Sequence, residues 1–283
     1  MTWQFLVALS ILLFALTGLF HRVLMKHEAS DARAQTVAFL TLGGIFSLVI
    51  AVFRGGVHIP DLASLLPNFG ILLVLSTIAP TLTFQAFKLI EASEVGIVMT
   101  SQRLWTVLAA FVLLQEQASI LKVIGTLLIL LGVSIALWRK SKFKLNRGVV
   151  YVLLAAMMYG LGDINVFYIL RSFDPISLSV YGTFLPVFAL LFVQPRTVKK
   201  LTYYFQPKHA LNISVVAFID TLATLALYYA YQIGRNAAQI APLMATETIV
   251  AVLLAALILH EKENLLNKII GSVVAVLGVV LVI

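Results

Sequence analysis

The chain of 283 residues contains no cysteine, and only 11% of its residues are charged. The missing cysteine excludes disulfide bonds, thiolate metal sites and cysteine nucleophiles. The charged fraction is low beside a hydrophobic fraction of 61%, because soluble domains carry about 25% charged residues. This composition is typical of a protein that crosses a membrane many times.

Sequence signatures of energy coupling and of catalysis are also missing. The chain has no GxxxxGK[ST] loop, so ATP cannot drive it through such a site. It has no HExxH motif, DxxxD pair or serine elbow, and its histidines are scattered in links or at segment ends: His21, His27, His58, His209 and His260. We therefore expect no enzymatic activity, no metal and no cofactor. A membrane-embedded enzyme that acts on lipid is the alternative from another class.

What the sequence has instead is ten hydrophobic segments, each long enough for a helix to cross the hydrocarbon core of a bilayer. Their apolar cores are 8–20, 35–53, 69–90, 95–114, 118–138, 149–170, 176–193, 211–233, 237–259 and 265–283. Such segments must be helical, because lipid offers no partners to free backbone groups. The sequence predicts an all-α integral membrane protein with ten transmembrane helices.

The net charge of +8 is concentrated in the links that follow odd-numbered segments. These links hold Arg22, Lys26, Arg33, Arg139, Lys140, Lys142, Lys144, Arg147, Arg196, Lys199, Lys200 and Lys208. By the positive-inside rule these links face the cytoplasm and both chain ends lie outside. We expect a multi-pass protein of the cell (inner) membrane, a monomer or homodimer with the bilayer and a small solute as partners and no nucleic acid.

A weak internal repeat divides the chain in the middle. A shift of 145 positions places Glu116 on Glu261, and each of these residues precedes a last segment with two glycines seven apart, Gly125/Gly132 and Gly271/Gly278. We expect a first five-helix repeat at 1–138, a basic cytoplasmic linker at 139–147 and a second five-helix repeat at 148–283. Since five is odd, the second repeat must be inverted, as in many secondary transporters.

The runs Ala92–Glu116 and Ala237–Glu261, each ending in Glu before a glycine-spaced last helix, resemble the drug/metabolite transporter superfamily, specifically its EamA-type ten-helix carriers. Pro242 opens the penultimate helix as in that family, whereas the first repeat has Ile97 in that place. The resemblance covers essentially the whole chain and implies a carrier for small organic solutes.

Ionisable residues in mid-membrane cost about 2.5–3.5 kcal/mol each on insertion scales, so they usually face a cavity or a partner. The eighth segment carries a polar stripe of Asp220, Thr224, Tyr228 and Tyr231. Their spacing of four, four and three places them on one helix face. We expect this stripe to line a cavity, or else to hold the bundle together by hydrogen bonds between helices.

Other polar residues are candidates for solute binding or ion coupling. They are Tyr159, Asp163 and Asn165 in the sixth segment, Gln239, Thr246 and Glu247 in the ninth, Gln102, Arg103 and Trp105 in the fourth, and Lys88 in the third. Arg103 and Glu247 lie at equivalent depths and either form a buried ion pair or bind solute. Trp105 stacks on a solute or packs in the core. Lys88 is favoured to pair locally with Glu91.

The sequence therefore predicts a secondary carrier that works by alternating access on amino acid-like or other polar and amphipathic metabolites, driven by protons or by exchange. A multidrug or organic-cation efflux carrier of the same fold is an alternative. The basic candidates favour an anion or amino acid and the three acids favour a cation, so charge alone leaves the solute open.

Overall fold

The computed structural model describes residues 2–26, 30–102, 105–106, 120–139, 142–143, 146–204, 206–234, 240, 243–261 and 263–282. Over this part the helices are α1 (Trp3–Met25), α2 (Ala32–Phe53), α3 (Leu62–Leu89), α4 (Ala92–Met99), α5 (Ile120–Leu137), α6 (Arg147–Ile169), α7 (Pro175–Val193), α8 (Thr197–Leu201), α9 (Pro207–Gly234), α10 (Glu247–Ile258) and α11 (Leu265–Val282). The short helix α8 lies in a link. The other ten helices correspond to the ten hydrophobic segments.

Among the described residues, six helices are long and apolar enough to cross a membrane, namely α1, α2, α3, α6, α7 and α9. Shorter apolar helices lie at Ile124–Ala136, Leu243–Ile258 and Leu265–Leu281. Large apolar side chains cover the outside of the bundle; Phe192, for example, is 89% exposed and Phe53 is 85% exposed. Exposed apolar surface of this extent is expected where lipid surrounds the protein.

Several helices begin at side chains that cap the first turn. Asp31 accepts from the backbone N–H groups of Arg33 and Ala34 at the start of α2. Asn146 does the same for α6 and Asp174 for α7. These caps satisfy backbone donors that have no partner within the helix, so they define where the chain enters each span.

The helices pack in pairs that join the two halves of the chain. The most extensive pairs are α5 with α11, α3 with α6, α1 with α9, and α2 with α7, and α4 packs on α10. Exchanging the halves maps this set of pairs onto itself: α3 with α6 becomes α9 with α1. The fold is therefore an all-helical bundle built from two related halves.

The glycine contacts between α5 and α11 show the relative direction of the halves. A Cβ atom at Gly132 would lie 2.5 Å from the Gly271 carbonyl oxygen, and one at Gly278 would lie 2.6 Å from the Gly125 carbonyl oxygen. The start of one helix thus faces the end of the other, so the two helices are antiparallel. This is the arrangement expected of inverted repeats.

The structure differs from the predicted elements in two respects. The link after α5 forms a two-residue antiparallel ladder of β1 (Trp138–Arg139) with β2 (Lys142–Phe143). The fourth and ninth segments, predicted as continuous helices, are each interrupted: α4 ends at Met99, and a turn at Thr246 precedes α10. The hydroxyl groups at these interruptions supply the physical reason.

Candidate functional site

A cavity of about 430 Å³ lies between the two halves. Side chains from α1, α2, α3 and α4 line it on one side, and side chains from α6, α7, α9 and α10 on the other. Cavities that hold small molecules have volumes of about 300–1,000 Å³. A solute in this space would contact both halves at once.

The polar stripe of α9 faces this cavity. Asp220, Thr224, Tyr228 and Tyr231 all line it, since the helical spacing places them on one face. The Asp220 carboxylate lies beside the hydroxyls of Thr224 and of Thr17 on α1, and the Thr17 hydroxyl donates to Phe14 O at 2.9 Å. The Tyr159 hydroxyl on α6 hydrogen-bonds with Thr83 on α3. This part of the cavity is therefore lined by one carboxylate, several hydroxyls and aromatic rings.

A second polar group crosses from the fourth segment to α6. The Gln102 side chain donates from Nε2 to Asp163 Oδ2 at 2.7 Å. Gly160 makes room for this contact, because a Cβ atom there would lie 2.4 Å from the Gln102 carbonyl oxygen and 2.8 Å from Trp105 Cβ. Gln102 and Asp163 line the cavity, whereas Trp105 packs where the two helices meet.

The interruptions of the fourth and ninth segments meet beside the cavity. In α4 the Thr100 N–H donates to Ile97 O rather than four residues back. The Gly96 carbonyl that it leaves accepts instead from the hydroxyls of Thr100 at 3.3 Å and Thr248 at 3.4 Å. Those two hydroxyls also lie 2.7 Å apart. Interrupted helices of this kind are found at the solute sites of transporters.

The remaining candidates lie elsewhere or outside the described residues. Glu247 lines the cavity. Asn165 exchanges hydrogen bonds with Asn68 on α3, at 2.7 and 2.9 Å. The Thr246 hydroxyl donates to Leu243 O, and the Lys88 ammonium donates to Ser30 O. Arg103 and Gln239 are outside the described residues, so the expected Arg103–Glu247 pair stays a prediction.

The end of the bundle that carries the basic links holds three ion pairs between described residues. They are Arg22–Glu261 at 3.8 Å, Lys200–Asp31 at 2.5 Å, and Lys268–Glu91. Each joins one half to the other, and we call them the basic-end ion pairs. Because these residues follow the first, third, seventh and ninth segments or lie close by, those links share one end of the molecule.

Glu261 also closes the start of α4. Its carboxylate accepts from the backbone N–H groups of Ala92 and Ser93, each at 3.3 Å, and from the Ser93 hydroxyl at 3.1 Å. A negative charge at a helix N-terminus is favourable for the helix dipole. The repeat pattern had singled out Glu261 only as the end of a hydrophobic run.

Asp31 lies outside the spans, and the pKa of its carboxyl group is lowered. Partial burial opposes its ionisation, but the hydrogen bonds from Lys200 and from the backbone N–H of Ala34 outweigh burial and lower the pKa of Asp31 below its ordinary value.

Aromatic rings lie at the same end of the bundle. His21 packs edge-on against Phe39 and beside Phe84, with ring centres 4.7 and 4.6 Å away.

Sequence reasoning missed several cavity and ion-pair residues. Thr17, Thr83 and Thr100 are hydroxyl residues in apolar helices, and the sequence carries no sign of the direction in which they point. Lys268, by contrast, is a lone lysine in an apolar run, which is a recognisable signal of a buried partner. Among the residues described, no group of three or more His, Asp or Glu side chains is placed to hold a metal ion.

The model of the EamA-like transporter family matches residues 1–138 and again residues 146–283. A crystal structure of a protein with 19% identity covers 99% of this chain and 95% of its own, with a TM-score of 0.62. At that identity the likeness shows the fold alone. No curated protein matches the chain.

Proposed function

The chain belongs to the EamA-like transporter family, a family of membrane solute carriers, and from this premise we propose that it is a secondary transporter of small organic metabolites. The observation that carries the proposal is the cavity between two antiparallel halves. Two halves around a shared site can open alternately to either side of a membrane.

The lining favours a polar or amphipathic solute over a purely apolar one. Carboxylates from Asp163, Asp220 and Glu247 face the same space as the rings of Tyr159 and Tyr228. Buried charges in a membrane are retained where they serve binding or ion coupling. We propose that these three carboxylates bind the solute or a coupling proton.

The basic-end ion pairs support the proposal that the halves close the cavity by a contact at that end of the bundle. They join the halves by charge, whereas Asn68–Asn165 at the opposite end joins them by neutral hydrogen bonds. By the positive-inside rule we propose that the basic end faces the cytoplasm. The membrane that holds the protein is then the plasma membrane.

Counterflow into proteoliposomes tests the proposal. Vesicles containing the purified chain are loaded with one unlabelled compound from a panel of amino acids, aromatic amines and polyamines, and uptake of the same labelled compound is followed. We expect saturable counterflow of at least one compound, absent from protein-free vesicles. If no compound moves, or if the protein only converts a lipid or solute into product, the chain is not such a carrier.

A further inference from the structure

The charge of the cavity lining points to the kind of solute. Its described lining residues include the carboxylates of Asp163, Asp220 and Glu247 and no lysine or arginine. A cleft lined by charges of one sign between low-dielectric walls concentrates ligands of the opposite sign. The described lining therefore offers carboxylates that a positively charged group of a solute can contact.

Asp220 differs from the carboxylates at the basic end. Asp31, Glu91 and Glu261 each have a lysine or arginine beside them. The side chains beside Asp220 are those of Thr17 and Thr224, both of which carry hydroxyls. Hydroxyls satisfy oxygen lone pairs but bring no compensating charge, and a buried carboxylate is stabilised most by a paired cation. Asp220 is therefore placed to receive a cation from a ligand.

Two tyrosine rings line the same cavity as this carboxylate. Tyr159 and Tyr228 both interact electrostatically with Asp220, and Tyr228 also does so with Asp163. Aromatic faces attract ammonium groups by cation–π interaction, most strongly where water is excluded. Asp163 already accepts from the Gln102 amide at 2.7 Å, so we assign the contact with an ammonium group to Asp220.

We propose that Asp220, with Tyr159 and Tyr228, forms an ammonium-binding subsite, and that the transported solute is a small organic amine. This inference rests on the proposed carrier function. Both possible kinds of solute carry an ammonium group on a molecule small enough for a cavity of about 430 Å³. The group belongs either to a simple amine or to a zwitterionic amino acid, which the experiment separates.

Calorimetric titration of the purified full chain in detergent tests the subsite. The probes are 2-phenylethylamine, its neutral analogue 2-phenylethanol, its anionic analogue phenylacetate, and phenylalanine as the zwitterion. We expect 2-phenylethylamine to bind and the neutral and anionic analogues to bind at least about tenfold more weakly. Binding of phenylalanine as tight as that of the amine assigns the ammonium to amino acids; weaker binding assigns it to simple amines.

Variants separate the carboxylate from the rings. Asp220→Asn removes the charge while keeping the shape, and we expect amine affinity to fall about 30-fold or more, as for loss of one partner of a buried charge pair. Tyr228→Leu should weaken amine binding about 2- to 30-fold, whereas Tyr228→Phe, which keeps the ring, should not. Asp61→Asn is the matched control, because it removes an exposed carboxylate outside the cavity lining and should leave the affinity unchanged.

Two results overturn the subsite: equal affinity of the amine for the parent chain and for Asp220→Asn, or tighter binding of phenylacetate than of the amine. Gel-filtration profiles of the variants exclude unfolding, and the Tyr228 pair gives an independent result if Asp220→Asn fails to fold. Saturable counterflow of a solute without an ammonium group would refute the subsite and leave the carrier function intact. Amine binding without counterflow of any compound would refute the carrier function.

Discussion

At the scale of single residues, Lys268 is a buried charge that depends on its ion-pair partner. Its side chain is 1% exposed and pairs with Glu91. Glu91→Gln leaves that buried ammonium without its counter-charge, at a cost of about 3–5 kcal/mol. We expect a lower melting temperature for this variant, measured by tryptophan fluorescence in detergent.

The double variant Glu91→Gln/Lys268→Met is the control for that loss. It removes both charges, and replacing a buried ion pair by uncharged groups is often close to neutral. We expect it to recover most of the melting temperature. If the single variant, the double variant and the parent all melt at the same temperature, the pair does not hold this end together.

Single residues also show where prediction from sequence succeeds and fails. The stripe from Asp220 to Tyr231 was predictable because helical spacing decides which side chains share a face. The partner of Glu91 was not, because Lys88 is the near neighbour in sequence and Lys268 the neighbour in space. Asn165 was chosen for its polarity, but its bonds to Asn68 depend on packing between helices that no local pattern encodes.

At the scale of elements, the close contact of glycines between α5 and α11 predicts that alanine lowers stability at Gly132. The same substitution should not do so at Gly70, which lies on α3 outside this contact. A Cβ atom at Gly132 would lie 2.5 Å from backbone atoms of α11, whereas nothing lies within 4 Å of one at Gly70 on α3. Gly132→Ala should destabilise by about 1–3 kcal/mol through overpacking. Gly70→Ala should be neutral or stabilising by up to about 1 kcal/mol, since alanine favours helix.

Thermal unfolding of the two variants in the same detergent provides the measurement, and Gly70→Ala serves as the matched control. A rise in melting temperature for both would mean that α5 and α11 can separate at no cost. The recurrence of the glycines was visible in the sequence. The contact between the glycine pair of α5 and that of α11 depends on how the two halves are arranged. It could be expected only if the halves are inverted relative to each other.

The interruptions of the fourth and ninth segments mark the limit of prediction for elements. Apolar length predicted continuous spans at 95–114 and 237–259. In α4 the hydroxyls of Thr100 and Thr248 take the place of a backbone donor at the Gly96 carbonyl, and threonine hydroxyls are known to compete for backbone groups in this way. Hydropathy depends only on which residues are present. It therefore cannot show where a threonine hydroxyl points or which residues of the two halves meet.

At the scale of the whole molecule, alternating access requires the halves to part at the basic end in some step of the cycle. Asp31 and Lys200 join the halves there, 2.5 Å apart, with side chains 27% and 61% exposed. Because the chain has no native cysteine, the pair Asp31→Cys/Lys200→Cys can be cross-linked selectively. We expect a short membrane-impermeant bis-maleimide to stop counterflow of a transported compound, while each single-cysteine variant treated alike stays active.

The same reagent tests orientation through a separate readout. If the basic end is cytoplasmic, the reagent should join the two cysteines in inside-out vesicles and not in right-side-out ones, as shown by the mobility of protease-cleaved protein on a gel. Cross-linking only in right-side-out vesicles would reverse the orientation without touching the gating argument. Full counterflow in protein shown to be cross-linked would contradict gating, because a covalent link of that length prevents the halves from separating where the charges now hold them.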